Sequence, residues 1–222
     1  MGMSGDKLTA LQWRILGVLA GIEPVWTLTG GAALAGVYLK HRTTKDLDLF
    51  WQGRDQLGNL PREVRDRLST AGLEATVVQS GNTFFRLRVI AGNEVCLVDL
   101  VAEPVPPIAA PQRLTLRGVS ITVDDPQEIL VNKLCALLGR AEIRDLVDVR
   151  GLLAFGSDLK KALADAPRKD AGFSPLTLAW VLRDIRPKAL GQLAGLSEEE
   201  SKDLEDFKER LIQDVLEAEA PK

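Results

Sequence analysis

Two cysteines, Cys96 and Cys135, are all that the chain carries, far apart and each inside an apolar run. That excludes a disulfide framework and a CxxC metal site and leaves two buried free thiols. The one histidine, His41, is read as a loop or packing residue rather than a catalytic base. No apolar run reaches the roughly 18 residues of a membrane span, and residues 1–7 lack the basic start and apolar stretch of a signal peptide. The expected location is therefore the cytoplasm, with no membrane partner. Gly-Lys-Ser/Thr is absent after any glycine-rich stretch, as is the G-x-G-x-x-G spacing, so a P-loop ATPase and a dinucleotide-dependent dehydrogenase both lose support.

What is present is a globular composition, 45% hydrophobic and 27% charged over 222 residues, enough for one large domain or two small ones. The net charge of −3 is unevenly spread, because residues 197–222 hold ten acidic and four basic side chains and leave the rest at +3. Basic residues gather at Lys40, Arg42 and Lys45 and again at Arg86 and Arg88. Such clusters are either solvated faces or contacts for an anion.

Leu8, Leu11, Ile15, Leu16 and Leu19 have the spacing of one helical face, and Glu23-Pro24 ends that segment. Residues 25–29 read as a strand that delivers Gly30-Gly31, followed by a helix over 32–39 and a strand over 46–51. A helix at 62–71, ended by Gly72, precedes strands at 74–79, 83–90 and 94–101, with turns at Ser80-Gly81-Asn82 and Ala91-Gly92-Asn93. The pattern predicts an α+β mixed sheet with flanking helices. Pro104, Pro106, Pro107 and Pro111 suit neither a helix nor a central strand, which places an expected boundary between domains 1–104 and 105–222. After a short strand pair at 113–116 and 119–123 the second domain reads as mostly helical, with helices at 126–138, 142–153, 158–164, 175–185 and 198–218.

Gly30-Gly31 between a strand and a helix lets backbone approach an anion where helix N–H groups are unpaired. Asp46 and Asp48, at i and i+2 of a strand, project to one face while Leu47 and Leu49 point into the core. Two such carboxylates repel unless a cation lies between them, and hard oxygen ligands beside phosphates suit Mg²⁺. Asp99, inside an apolar strand, needs a partner if buried. Were its strand beside that of Asp46 and Asp48, three carboxylates would converge as a two-metal cluster able to activate an attacking hydroxyl. In the second half, Lys133 and Arg140 share the edge of the Leu130/Leu134/Leu137 face and would reach across a cleft. Asp145 and Asp148, at i and i+3, either act in catalysis or form a salt-bridge network with Arg144 and Arg150.

Gly30-Gly31, a helix, His41-Arg42-x-Thr44-x-Asp46-x-Asp48, a strand aspartate at Asp99, then Lys133 and Arg144-Asp145-x-x-Asp148 form an order that resembles the nucleotidyltransferase superfamily with the DNA polymerase β-like fold. Within it the chain is similar to the AbiEii-type toxins of type IV toxin–antitoxin systems, over residues 27–152. Thr44 stands where that family usually has serine and keeps the hydroxyl. The resemblance implies that Asp46 and Asp48 hold Mg²⁺ and that Asp99 completes the cluster or faces the acceptor hydroxyl. It implies that Gly30, Gly31, Arg42 and Thr44 bind the nucleoside triphosphate, that Lys133 neutralises it, and that Asp148 and Asp145 orient the lysine or the acceptor. The helical domain would complete the active-site cleft. The implied reaction is attack on the α-phosphate with loss of pyrophosphate, on an RNA acceptor such as a tRNA 3′ end, by a toxin with a cognate antitoxin. Two alternatives keep the fold: transfer to a protein or to a small molecule such as an aminoglycoside, and a catalytically silent interaction module.

Overall fold

A computed structural model of the chain describes residues 7–219; the start, read above as lacking a signal peptide, lies largely outside them. The chain divides at Asp125/Pro126 into two compact units.

The first unit is built on a seven-stranded mixed sheet. Helix α1 (Ala10–Leu19) starts with a capping box in which the Thr9 hydroxyl accepts from the Gln12 N–H and the Gln12 side chain accepts from the Thr9 N–H. Strand β1 (Thr27–Thr29) leads into a short helix, α2 (Gly30–Ala33), that continues as a wider π turn over Leu34–Tyr38. Strand β2 (Asp46–Gln52), helix α3 (Leu60–Thr70) and strands β3 (Glu74–Ser80), β4 (Phe84–Ala91), β5 (Glu94–Glu103), β6 (Gln112–Leu116) and β7 (Val119–Val123) follow. The strand order is β3-β4-β5-β2-β1-β7-β6. β2 runs parallel to β5 and antiparallel to β1, and β1 runs parallel to β7.

Period-two alternation assigns the two faces of this sheet. Leu47, Leu49 and Trp51 of β2, Cys96, Val98 and Leu100 of β5, and Leu87 and Val89 of β4 are buried. On the same core side, α1 contributes Ile15, Leu16 and Leu19 and α3 contributes Val64 and Leu68, all buried. The opposite face presents Asp46, Asp48, Phe50 and Gln52 of β2, each half-buried. A register slip of one residue would exchange the two sets, so burial of the apolar set fixes where the aspartates point.

The expected boundary at the proline stretch does not hold. β7 pairs with β1 through Thr27 with Thr122 and Leu28 with Val123, so the hairpin after the prolines completes the first unit's sheet. The prolines mark a crossing loop, and the division lies at the helix that starts with Pro126.

The second unit is helical, with α4 (Pro126–Arg140), α5 (Ile143–Phe155), α6 (Leu159–Asp165), α7 (Pro175–Asp184), a short α8 (Pro187–Leu190) and α9 (Glu198–Glu219). Gly156 in the left-handed region ends α5, and Asp158 and Ser174 cap α6 and α7 through their side chains. α4 packs against α5, α6 and α7, and α9 against α7 and α8. The acidic tail of the sequence is thus one long helix whose apolar side, Leu204, Leu211, Ile212 and Val215, is buried. Among the described residues no helix is long and apolar enough to cross a membrane.

Candidate active site

The glycine pair, Arg42, Thr44 and the Asp-x-Asp strand form one cluster in the first unit. Thr29 of β1 lies opposite Asp48 of β2, so the chain leaves β1 directly over the aspartates. Gly30 has φ +61°, and a Cβ there would collide with the Asp48 carboxylate. A Cβ on Gly31 would stand 2.9 Å from Nη2 of Arg42 and 3.2 Å from Oγ1 of Thr44. Gly30 is required by its backbone conformation as well as by close approach, whereas a side chain at Gly31 would have to displace the Arg42 guanidinium. Gly30→Ala should cost about 1–3 kcal/mol of stability, since strain in the left-handed region and the clash add. Thermal unfolding checks it; a loss below ~0.5 kcal/mol would contradict the close packing.

Thr44 is buried, and its hydroxyl donates to Oδ1 of Asp46 at 3.0 Å, with the Lys45 N–H donating to the same oxygen at 3.1 Å. Gln12 reaches the Thr44 carbonyl through Nε2 at 3.1 Å. This buried glutamine, which sequence reasoning missed, ties α1 to the loop that holds Thr44. Its capping-box position three residues after Thr9 was the available signal.

Asp99 lies beside Asp48 in the parallel β2–β5 pair, as the sequence suggested. Among the described residues no group of three His, Cys, Asp or Glu side chains could hold a metal ion. Arg86 of β4 stands opposite Asp99 and binds both of its oxygens, Nε to Oδ1 at 2.7 Å and Nη2 to Oδ2 at 2.6 Å. That hydrogen bonding is the largest influence raising the guanidinium above its ordinary pKa. Asp46 and Asp48 remain as a two-carboxylate set. Mg²⁺ is commonly held by one or two carboxylates together with substrate phosphates, so this donor set fits it.

Lys133, Asp145 and Asp148 are brought together within the second unit. The Lys133 ammonium, almost fully buried, lies 2.7 Å from Oδ1 of Asp145 and 2.8 Å from Oδ2 of Asp148. Arg140 forks onto Asp145, Nε to Oδ2 at 2.7 Å and Nη2 to Oδ1 at 2.9 Å. The network expected with Arg144 and Arg150 is thus made by Lys133 and Arg140, while Arg144 pairs with Glu142 at 3.1 Å. Burial is the largest influence on Lys133 and works against its charge. The fields of Asp148 and Asp145 and their hydrogen bonds outweigh it, and the pKa is raised. Burial likewise pushes Asp145 upward but is overcome by hydrogen bonding to Arg140 and by the charge of Lys133, which lower its pKa.

Residues 14–220 match the family profile described as nucleotidyl transferase AbiEii toxin, type IV toxin–antitoxin system. The chain belongs to the AbiEii family. No curated protein sequence matches it. Solved structures of similar fold include JHP933 from Helicobacter pylori, 18% identical, with 93% of this chain and 91% of that chain covered and a TM-score of 0.56. An antigenic nucleotidyltransferase-like protein from Paracoccidioides brasiliensis is 20% identical over 79% of this chain and 94% of its own, TM-score 0.51. The structure of ANT(2″)-Ia in complex with adenylyl-2″-tobramycin is 14% identical over 72% and 95%, TM-score 0.51. At these identities the likeness is one of fold.

This AbiEii-family chain is accordingly a nucleotidyltransferase with an α+β mixed-sheet fold. Burial pushes Cys96 up to about 12 and Cys135 up to about 11, so neither is a thiolate near neutrality. His41 sits half-buried in the loop before Arg42, in keeping with the loop reading of the sequence.

Proposed function

We propose that the chain transfers a nucleoside monophosphate from a nucleoside triphosphate to a hydroxyl of RNA, a tRNA 3′ end being the expected acceptor. The observation that carries this is the packing of Gly30-Gly31 onto Asp48, Arg42 and Thr44, with Thr44 in turn bonded to the second carboxylate, Asp46. Asp46 and Asp48 would hold Mg²⁺, which supplies charge neutralisation at the α-phosphate and the leaving pyrophosphate. Gly30, Gly31, Arg42 and Thr44 bind and orient the triphosphate. Asp99, fixed by Arg86, faces the acceptor hydroxyl. By the family resemblance Lys133, whose ammonium is held by Asp145 and Asp148, would neutralise the triphosphate. Asp145 and Asp148 are its positioning residues. The family description supports a toxin role with an antitoxin as partner, and the proposed place of action is the cytoplasm.

Transfer of α-³²P label from each of the four nucleoside triphosphates to total tRNA and to protein, with Mg²⁺, tests this. Label on tRNA that Asp46→Ala abolishes is the expected result. Label on protein or on a small molecule would replace the acceptor, and no transfer to any acceptor would remove the enzymatic reading.

A further inference from the structure

The open face of the sheet extends well beyond the aspartates. Reading across strands β2, β5, β4 and β3, one row holds Asp48, Asp99, Arg86 and Gln79, and the next holds Asp46, Leu97, Arg88 and Thr76. Both rows share one face, because paired residues in a sheet point the same way. Arg86 is spent on Asp99 and lies over the Phe84 ring at 5.5 Å. Arg88 is exposed and, among the described residues, its guanidinium has no carboxylate partner. It stands two strands from Asp46, about 10 Å at the usual interstrand spacing. Every residue of the edge strand β3 except Ala75 is exposed, so this end of the face is open to solvent.

The two flanks of the Asp-x-Asp strand differ. On the β1 flank lie the close-packed glycines with Arg42 and Thr44. On the β5 flank lie Asp99, Arg86 and Arg88. In-line displacement at phosphorus needs the attacking oxygen and the leaving pyrophosphate on opposite sides. If the triphosphate tail lies on the glycine flank, the acceptor enters from the β5 flank, over Asp99 and toward Arg88.

We infer that Arg88, on the open sheet face two strands from Asp46 and diagonal to Asp99, holds a backbone phosphate of a nucleic-acid acceptor strand near its reacting hydroxyl. The inference rests on the proposed RNA-directed transfer and assigns that reaction a binding residue no motif contains. Thr76 and Gln79 line the same path at the sheet edge and offer neutral hydrogen bonds to sugar and phosphate oxygens. Arg88 is where the charge lies. A single phosphate contact contributes about 0.7–0.9 to the slope of log affinity against log salt.

The test uses the full chain with unfractionated tRNA as acceptor. For Arg88→Ala and Arg88→Glu, KM for tRNA should rise about 3- to 30-fold, more for glutamate. KM for the nucleoside triphosphate should stay within twofold. The salt slope of tRNA binding should fall by about 0.7–0.9 in the alanine variant, and Arg88→Lys should restore most of the affinity. Unchanged tRNA KM and salt slope in both variants, with wild-type transfer to tRNA intact, would overturn the assignment of Arg88 and leave the proposed function standing. A wild-type chain that labels no tRNA would overturn both. Circular dichroism of each variant separates misfolding from lost binding, and a 12-nucleotide mixed-sequence RNA in place of tRNA, giving the same loss, would support recognition of the strand itself.

Discussion

Asp48→Asn is expected to lower nucleotidyl transfer about 10²–10³-fold, the scale of losing one electrostatic contribution to a transition state, here through a weakened hold on Mg²⁺, while leaving the fold intact. Asparagine has the shape of aspartate, so the close contact with Gly30 survives. What disappears is one of two like charges two residues apart on an open face. Like charges on neighbouring same-face positions destabilise by a fraction of a kcal/mol, about 0.2–1. The variant should therefore unfold at the same temperature as the native chain or slightly above it. Loss of rate without loss of stability distinguishes a chemical role from a structural one. Arg86 already takes both oxygens of Asp99, the carboxylate opposite Asp48. Initial rates with saturating Mg²⁺, alongside Asp66→Asn on the exposed side of α3 as a control, provide the comparison. Transfer retained within tenfold would refute the role.

Lys133→Met has the largest expected effect on stability. Methionine fills the volume but withdraws the ammonium from two buried carboxylates, and breaking a buried pair from one side costs about 3–5 kcal/mol. Urea unfolding followed by far-ultraviolet circular dichroism reports it, since Lys133 sits in the helical unit. A loss under ~1 kcal/mol would mean that the carboxylates find water or other partners. Lys133→Arg should recover part of the stability but not the rate, because a planar fork cannot reproduce a compact ammonium held by two carboxylates. The signs of the two pKa shifts define the pH window. Asp145 is depressed, so its contribution is present above its unfolded value of 3.8 and lost as pH falls through the folded value below that. Lys133 is raised, so its contribution is present below 10.5 and lost as pH rises through the folded value above that. Between those limits the native chain should show little change from this network, whereas the Lys133→Met deficit should shrink as pH falls, because the carboxylates left without the ammonium take up protons more readily.

Much of the molecule was legible because its signals are local. The apolar spacing in α1, the Asp124-Asp125-Pro126 start of α4 and the alternation of β2 each name their element and its buried side. The short turn of helix at Pro187–Leu190 was not seen, being too brief to show periodicity. The domain boundary failed because proline reports what the backbone cannot do locally and says nothing about which strands pair later. Arg86 illustrates the opposite case. The turn at Gly92, with φ +57°, brings Ala91 opposite Glu94, and counting outward in an antiparallel hairpin pairs Arg86 with Asp99. The information was present, but only once the two strands were treated as partners. Lys133 and Arg140 were correctly placed on one helix edge, yet their target depended on how α5 folds back, which helical periodicity alone does not give.

β1, the strand that carries the glycine pair, is flanked by β2 close by and by β7 far along the chain, Thr27 meeting Thr122. During synthesis at about 5–20 residues per second, one side of that strand waits roughly 5–20 s for its neighbour to be made. Throughout that interval the nascent chain exposes an unpaired edge beside the aspartates. The strand that carries the glycine pair therefore gains its second neighbour only after that motif has long been translated.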